Sequence, residues 1–205
     1  MTNIFTINGA SRSGKDELTK LLKTEYGYRH IHPLSNLYVF LEEHFELPSG
    51  SLMEGSSKQF KPCGSDKTMA ELLVDFYHFM NDRGVNWTIP HVKRALDWNV
   101  KHNQSLVFSG LRNFHESELI LDKVRDIRED GGYIKLISVW INRPGFKGYS
   151  SDNDQREIFR QLAYNSDEHF IIENDGTLTA FITKLKEIIK EHNLDGRRII
   201  KTKGN

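Results

Sequence analysis

Near the start of the chain, Gly9-Ala10-Ser11-Arg12-Ser13-Gly14-Lys15-Asp16 follows the pattern G-x-x-x-x-G-K. That spacing suits one kind of chemistry. Two glycines let the backbone wrap closely round a phosphate, and the amides and positive dipole end of a following helix favour the anion. The ammonium of Lys15 would then reach the β- and γ-phosphates of a nucleotide such as ATP and stabilise the charge of phosphoryl transfer. The plainer reading is a glycine turn that only opens a helix; a strand before the loop and a helix after it favour the phosphate reading. Asp16 stands where serine or threonine usually closes the pattern. A carboxylate beside polyphosphate is repulsive unless a cation lies between them, so Asp16 is a candidate ligand for Mg²⁺, directly or through water. The alternative is a solvated acid favoured by the helix dipole alone.

A second group follows the apolar run 105–109, where Gly110-Leu111-Arg112-Asn113-Phe114-His115-Glu116 falls at a position suited to a catalytic loop. The Arg112 fork fits phosphate oxygens, and Glu116 either orients that arginine or caps the helix it opens; a surface Arg/Glu pair is the simpler alternative. No acid ends this strand, so the usual second magnesium anchor is missing there. Farther on, Arg143-Pro144-Gly145 leads to a helix bearing Arg156 and Arg160 one turn apart. An arginine-bearing lid and an ordinary soluble helix face are both consistent with that pair. His30 and His32 would share one face of a strand, but no zinc pattern accompanies them, and a structural or surface role is expected.

The elements that must position these groups alternate. Strands are expected at 4–7, 28–32, 105–109 and 134–141, and helices at 17–22, 37–45, 69–80, 92–100, 116–128 and 178–189. The last follows Asn174-Asp175-Gly176, and the segment 49–67, rich in serine, glycine, lysine and proline, reads as a long mobile loop. An α/β fold is predicted, with a parallel sheet flanked by helices, a helical acceptor-side cap at 33–98 and a lid at 143–165 within one domain, 1–205. The ligand crevice is expected at the carboxyl ends of the strands.

Lysine plus arginine balances aspartate plus glutamate at 28 each, so the chain lacks the overall positive field of many nucleic-acid binders. The single Cys63 excludes an internal disulfide and suits a reducing, intracellular setting. No apolar run approaches the roughly 18 residues of a membrane span. A homodimer is compatible with the sequence.

Strand plus GASRSGKD, strand plus Arg112 with Glu116, Arg143-Pro144-Gly145, and Ile172-Glu173-Asn174-Asp175-Gly176-Thr177-Leu178 together resemble the phage-type deoxynucleoside monophosphate kinases, a family of P-loop kinases. The resemblance implies transfer of the γ-phosphate of Mg-ATP to a deoxynucleotide acceptor, in the cytoplasm of an infected host cell if the gene is phage-borne. It also implies that Asn174 to Gly176 frame the adenine, with a helix-capping turn as the physical alternative for Asp175 and Thr177. The cap departs from the family pattern at Pro33-Leu34-Ser35-Asn36-Leu37 and Met69-Ala70-Glu71-Leu72-Leu73.

A related set of phage kinases phosphorylates the hydroxymethyl group of 5-hydroxymethyluracil in DNA, which gives the second expectation. In that case Lys58, Lys61, Lys67 and Phe60, with the tail Arg197, Arg198, Lys201 and Lys203, would meet modified DNA. Phe76, Tyr77, Trp87 and Trp98 would be stacking surfaces or core, and Asp66, Asp75 or Asp82 a base for the hydroxyl. A nucleotide-binding switch or accessory ATPase is a third class, but no switch loops or water-positioning residue can be read from the sequence.

Overall fold

The computed structural model describes residues 2–10, 12–145 and 152–195, with side chains in the last span from 155 onward. Its contacts cluster into two compact units, one formed by Met1–His32 with Ala95–Asn205 and the other by Pro33–Arg94.

The larger unit is built on a sheet of β1 (Thr2–Gly9), β2 (Arg29–Ile31), β3 (Leu106–Ser109), β4 (Ile134–Asn142) and β5 (Glu168–Glu173). The strand order is β2-β3-β1-β4-β5, and every pairing is parallel. Parallel strands need crossovers that place helices on the faces, so β1, flanked by β3 and β4, is buried along its whole length. On one face Phe5, Ile7, Val107, Ile137, Val139 and Ile141 pack with Leu18, Leu21 and Leu22 of α1 (Lys15–Tyr26) and with Phe181, Leu185 and Ile189 of α8 (Leu178–Glu191). The alternate residues of β1 include Thr6, whose hydroxyl lies 3.1 Å from that of Ser138 on β4. Trp140 of β4 meets Phe159 of α7 (Asp152–Asn165) with ring centroids 5.7 Å apart. The Ser117 hydroxyl of α6 (Phe114–Glu129) donates to Gln161 of α7 at 2.6 Å.

The smaller unit holds α2 (Ser35–His44), α3 (Ser51–Glu54), α4 (Met69–Asp82) and the first residues of α5 (Ile89–His102). Leu34, Leu37, Leu41, Leu52, Met69 and Leu73 form the centre of its core. The segment 49–67, expected as a mobile loop, is instead tied to this core. Leu52 of α3 is fully buried, and the buried Glu42 carboxylate accepts from the Gly50 and Leu52 amides at 2.8 and 2.7 Å. Farther along, the Met69 and Ala70 amides donate to the carbonyls of Phe60 and Lys58. Composition hid this because a buried carboxylate on the preceding helix α2, outside the segment, satisfies the backbone at the start of α3. Strand β5 was also absent from the sequence reading. It is an edge strand with Ile171 exposed and only Phe170, Ile171 and Ile172 as an apolar run, too short a signal for periodicity.

Candidate phosphate-binding site

The loop between β1 and α1 has the shape its sequence demands. Gly9 has φ 148°, and a methyl group there would stand 2.4 Å from the Ile141 carbonyl oxygen and 2.8 Å from the Ser13 hydroxyl. Gly14 has φ 110° and caps α1 in the left-handed region; a methyl there would lie 2.8 Å from the Asn174 amide nitrogen. Both positions therefore require glycine. The Ser13 amide donates to the Ala10 carbonyl at 3.1 Å, and Arg12 takes φ 61°.

Two distant segments brace this loop. The Asn174 side-chain amide, just past β5, donates to the Ser13 carbonyl at 2.7 Å. Arg143, just past β4, donates to the Arg12 carbonyl at 3.1 Å. Lys15 donates its ammonium to the carbonyls of Gly9 and Ala10 at 2.6 Å each, which holds the charge over the loop. Gly14 brings no side chain to cap the helix, so no side-chain oxygen competes with an anion at the first turn of α1. The Ser13 hydroxyl is fully buried without a protein partner. A left-handed glycine cap, an uncapped first turn, a lysine on the loop and an orphaned buried hydroxyl fit a bound polyphosphate. The exposed Asp16 carboxylate in that first turn is a hard oxygen donor of the kind Mg²⁺ takes.

The end of β3 lies beside this loop because the Gly110 amide donates to the Ile7 carbonyl of β1 at 3.1 Å. Glu116, open in the sequence between orienting Arg112 and capping a helix, is fully buried and does the latter. Its carboxylate accepts from the Arg112 backbone amide at 2.5 Å and forms a capping box with Asn113. Glu116 thus fixes the backbone that presents Arg112, whose Nε is buried without a partner. A buried guanidinium N–H with no acceptor is a donor held ready for one.

A feature missed in the sequence lies at the same strand ends. His30 of β2 places its Nε2 2.7 Å from the Ser109 hydroxyl, and Ser109 is buried. Burial pushes the His30 pKa down to about 4, against an opposing influence of Asp16, with a smaller lowering from Lys23. The imidazole is therefore neutral at pH 7. His32 follows at 6.4 Å between ring centroids. The available signal was the paired histidines on a short strand; what could not be read was that β3 lies next to β2. Asn8 is a further missed residue. It is fully buried one position before Gly9, and neither its amide nitrogen nor its oxygen has a partner. A polar residue within an otherwise buried central strand is the sequence sign that could have found it.

Other expected residues stand elsewhere or are otherwise engaged. Arg156 and Arg160 are exposed on α7, and Arg160 pairs with Glu157 one turn away; no bond joins either arginine to the loop among the described residues. Gly176 takes no left-handed conformation, and a methyl there would meet only Ala180 at an ordinary 3.6 Å. Thr177, rather than Asp175, caps α8 by accepting from the Ala180 amide at 3.2 Å. Lys67 pairs with Asp75 at the surface of the smaller unit, and Lys58 lies 5.8 Å over the Tyr38 ring. Phe76 and Trp87 pack together there while Tyr77 is core; in the larger unit Trp98 stacks on His102 beneath Arg29. Ser11, the lid positions 146–151 and the basic tail from 196 lie outside the described residues. Among the described residues no group of three or more metal-binding side chains occurs, and no helix is long and apolar enough to cross a membrane.

A parallel sheet in which the central strand runs through a glycine-framed phosphate loop into a helix is the P-loop form of the α/β fold. No protein-family model matches the chain, and no curated protein matches it. Among solved structures it is similar to a sugar kinase from Janibacter sp. HTCC2649, at 12% identity over 97% of this chain and 100% of that one, with a TM-score of 0.41. It is also similar to dephospho-CoA kinase from Campylobacter jejuni, at 13% identity over 96% and 100% of the two chains, with a TM-score of 0.47. A third, shikimate kinase from Acinetobacter baumannii in complex with shikimate, shares 9% identity over 97% and 96%, with a TM-score of 0.41.

Proposed function

We propose that this chain is an ATP-dependent phosphotransferase that moves the γ-phosphoryl group of Mg-ATP to a deoxynucleotide acceptor. The observation that carries the reading is the phosphate loop, with Lys15 at 2.6 Å on its carbonyls and Arg143 at 3.1 Å bracing it. Positive charge is thus held in place before a phosphate arrives, which lowers the reorganisation needed when charge moves in the transition state. Lys15 binds the β- and γ-phosphates, and the loop amides orient them. Arg112, presented by the Glu116 cap, meets equatorial oxygens of the transferring group. Mg²⁺, with Asp16 as the residue to hold it, supplies further charge neutralisation. The deoxynucleotide acceptor rests on the family resemblance of the sequence.

The test is transfer of labelled γ-phosphate from ATP to a panel of deoxynucleoside monophosphates, set beside DNA containing thymine or 5-hydroxymethyluracil. Label in a free diphosphate is the expected result. Label only in the modified DNA would replace the acceptor while keeping the phosphotransferase. Label in neither, with release of inorganic phosphate alone, would overturn transfer in favour of an ATPase.

A further inference from the structure

Two features of the phosphate site stand in unusual places. The acid that commonly holds magnesium from the end of a neighbouring strand is absent, and a hydroxyl, Ser109, stands there; the hydroxyl that commonly holds it from the helix is absent, and an acid, Asp16, stands there. We infer that the two ligands have changed places, so that Asp16 and the Ser109 hydroxyl together form the magnesium site of the bound nucleotide.

The placement of both residues supports the exchange. Ser109 is the last residue of β3 and lies in register with Ile7, two residues before Gly9. Asp16 is the second residue of α1, which starts from the other end of the same loop. His30 of β2 places its Nε2 2.7 Å from the Ser109 hydroxyl, and the Gly110 amide that follows Ser109 donates to the Ile7 carbonyl at 3.1 Å, which sets the end of β3 beside the loop. The start of α1, which carries the carboxylate, and the end of β3, which carries the hydroxyl, therefore flank the same phosphate loop. The fully buried Ser13 hydroxyl, without a partner, sits between Gly9 and Asp16 in the same loop. The hydrogen bond to His30 fixes the orientation of the Ser109 hydroxyl. One carboxylate, one hydroxyl, phosphate oxygens and waters make up the hard donor set that magnesium takes.

The inference rests on the Mg-ATP reading, and its test separates the two. Binding of a non-hydrolysable ATP analogue is measured by calorimetry with and without Mg²⁺, and Mn²⁺ binding in the presence of the analogue is followed by electron paramagnetic resonance. In the wild-type chain Mg²⁺ should tighten analogue binding. Asp16→Asn should reduce that tightening by about tenfold or more and weaken the Mn²⁺ signal, while analogue affinity without metal holds or rises as a negative charge leaves the phosphates. Ser109→Ala should reduce the tightening severalfold, and the double variant Asp16→Ser with Ser109→Asp should restore it. Undiminished tightening in Asp16→Asn would overturn the inference and leave nucleotide binding intact, as would undiminished tightening in a folded Ser109→Ala. Because Ser109 is buried, the double variant counts only if its circular dichroism is native; Asp16→Asn, at an exposed position, keeps the test decisive. A wild-type chain that binds no analogue at all would overturn the phosphotransferase reading and this inference with it.

Discussion

Lys15 contributes through its charge and Gly14 through the absence of a side chain, and the two predict different failures. Lys15→Ala removes the ammonium over the loop, and phosphotransfer should fall by about 10²–10³-fold, read as kcat under saturating ATP. Its melting temperature should change little, since Lys15 is only partly buried at the first position of α1. Gly14→Ala places a methyl 2.8 Å from the Asn174 amide and forces alanine to φ 110°. It should cost about 1–3 kcal/mol by denaturant unfolding and abolish nucleotide binding, because the loop must shift. At this scale the sequence was readable where the motif is contiguous: Gly9 to Asp16 form a local loop, and glycine spacing announces it. The Asn174 contact to Ser13 and the Arg143 contact to Arg12 span most of the chain and could not be read from spacing. Asn174 braces the loop through its side-chain amide, a role that the family resemblance, which placed it near adenine, did not supply.

Among the elements, α6 and α3 each depend on a buried acid at their start. Glu116 accepts from the Arg112 amide and boxes with Asn113, so Asn113→Ala should cost about 0.5–2 kcal/mol and Glu116→Ala more, by urea unfolding. Glu116→Ala should also lower kcat, because the backbone presenting Arg112 loses its anchor. Glu42 plays the matching part in the smaller unit. Glu42→Ala should remove the hydrogen-exchange protection of the Gly50 and Leu52 amides, which its carboxylate now accepts at 2.8 and 2.7 Å. The helix read from Leu72, Leu73 and Phe76 was legible because its apolar face repeats, and Thr68 with Glu71 caps it locally. The helix α3 was not legible because the group that stabilises its start lies on another helix.

The molecule as a whole carries equal numbers of basic and acidic residues, so acid sensitivity should arise from particular buried groups. His30 is the clearest. Its folded pKa is pushed from the ordinary 6.5 down to about 4, so the unfolded chain binds the proton more readily. This contribution to stability is complete above about pH 6.5 and is lost as pH falls toward 4, amounting to about 3 kcal/mol in all. Urea midpoints measured across that window should fall in the wild-type chain and fall less steeply in His30→Gln.

The sequence by itself determined the alternation of strands and helices, the phosphate loop and the helix that Arg112 precedes, because each is written in adjacent residues or in a short period. Only the tertiary structure decided which strands are neighbours, and with them the pairing of His30 with Ser109 and the bracing of the loop by Arg143 and Asn174. Strand order follows from how a parallel sheet buries both of its faces under crossover helices, a property of the packed whole that local periodicity does not encode.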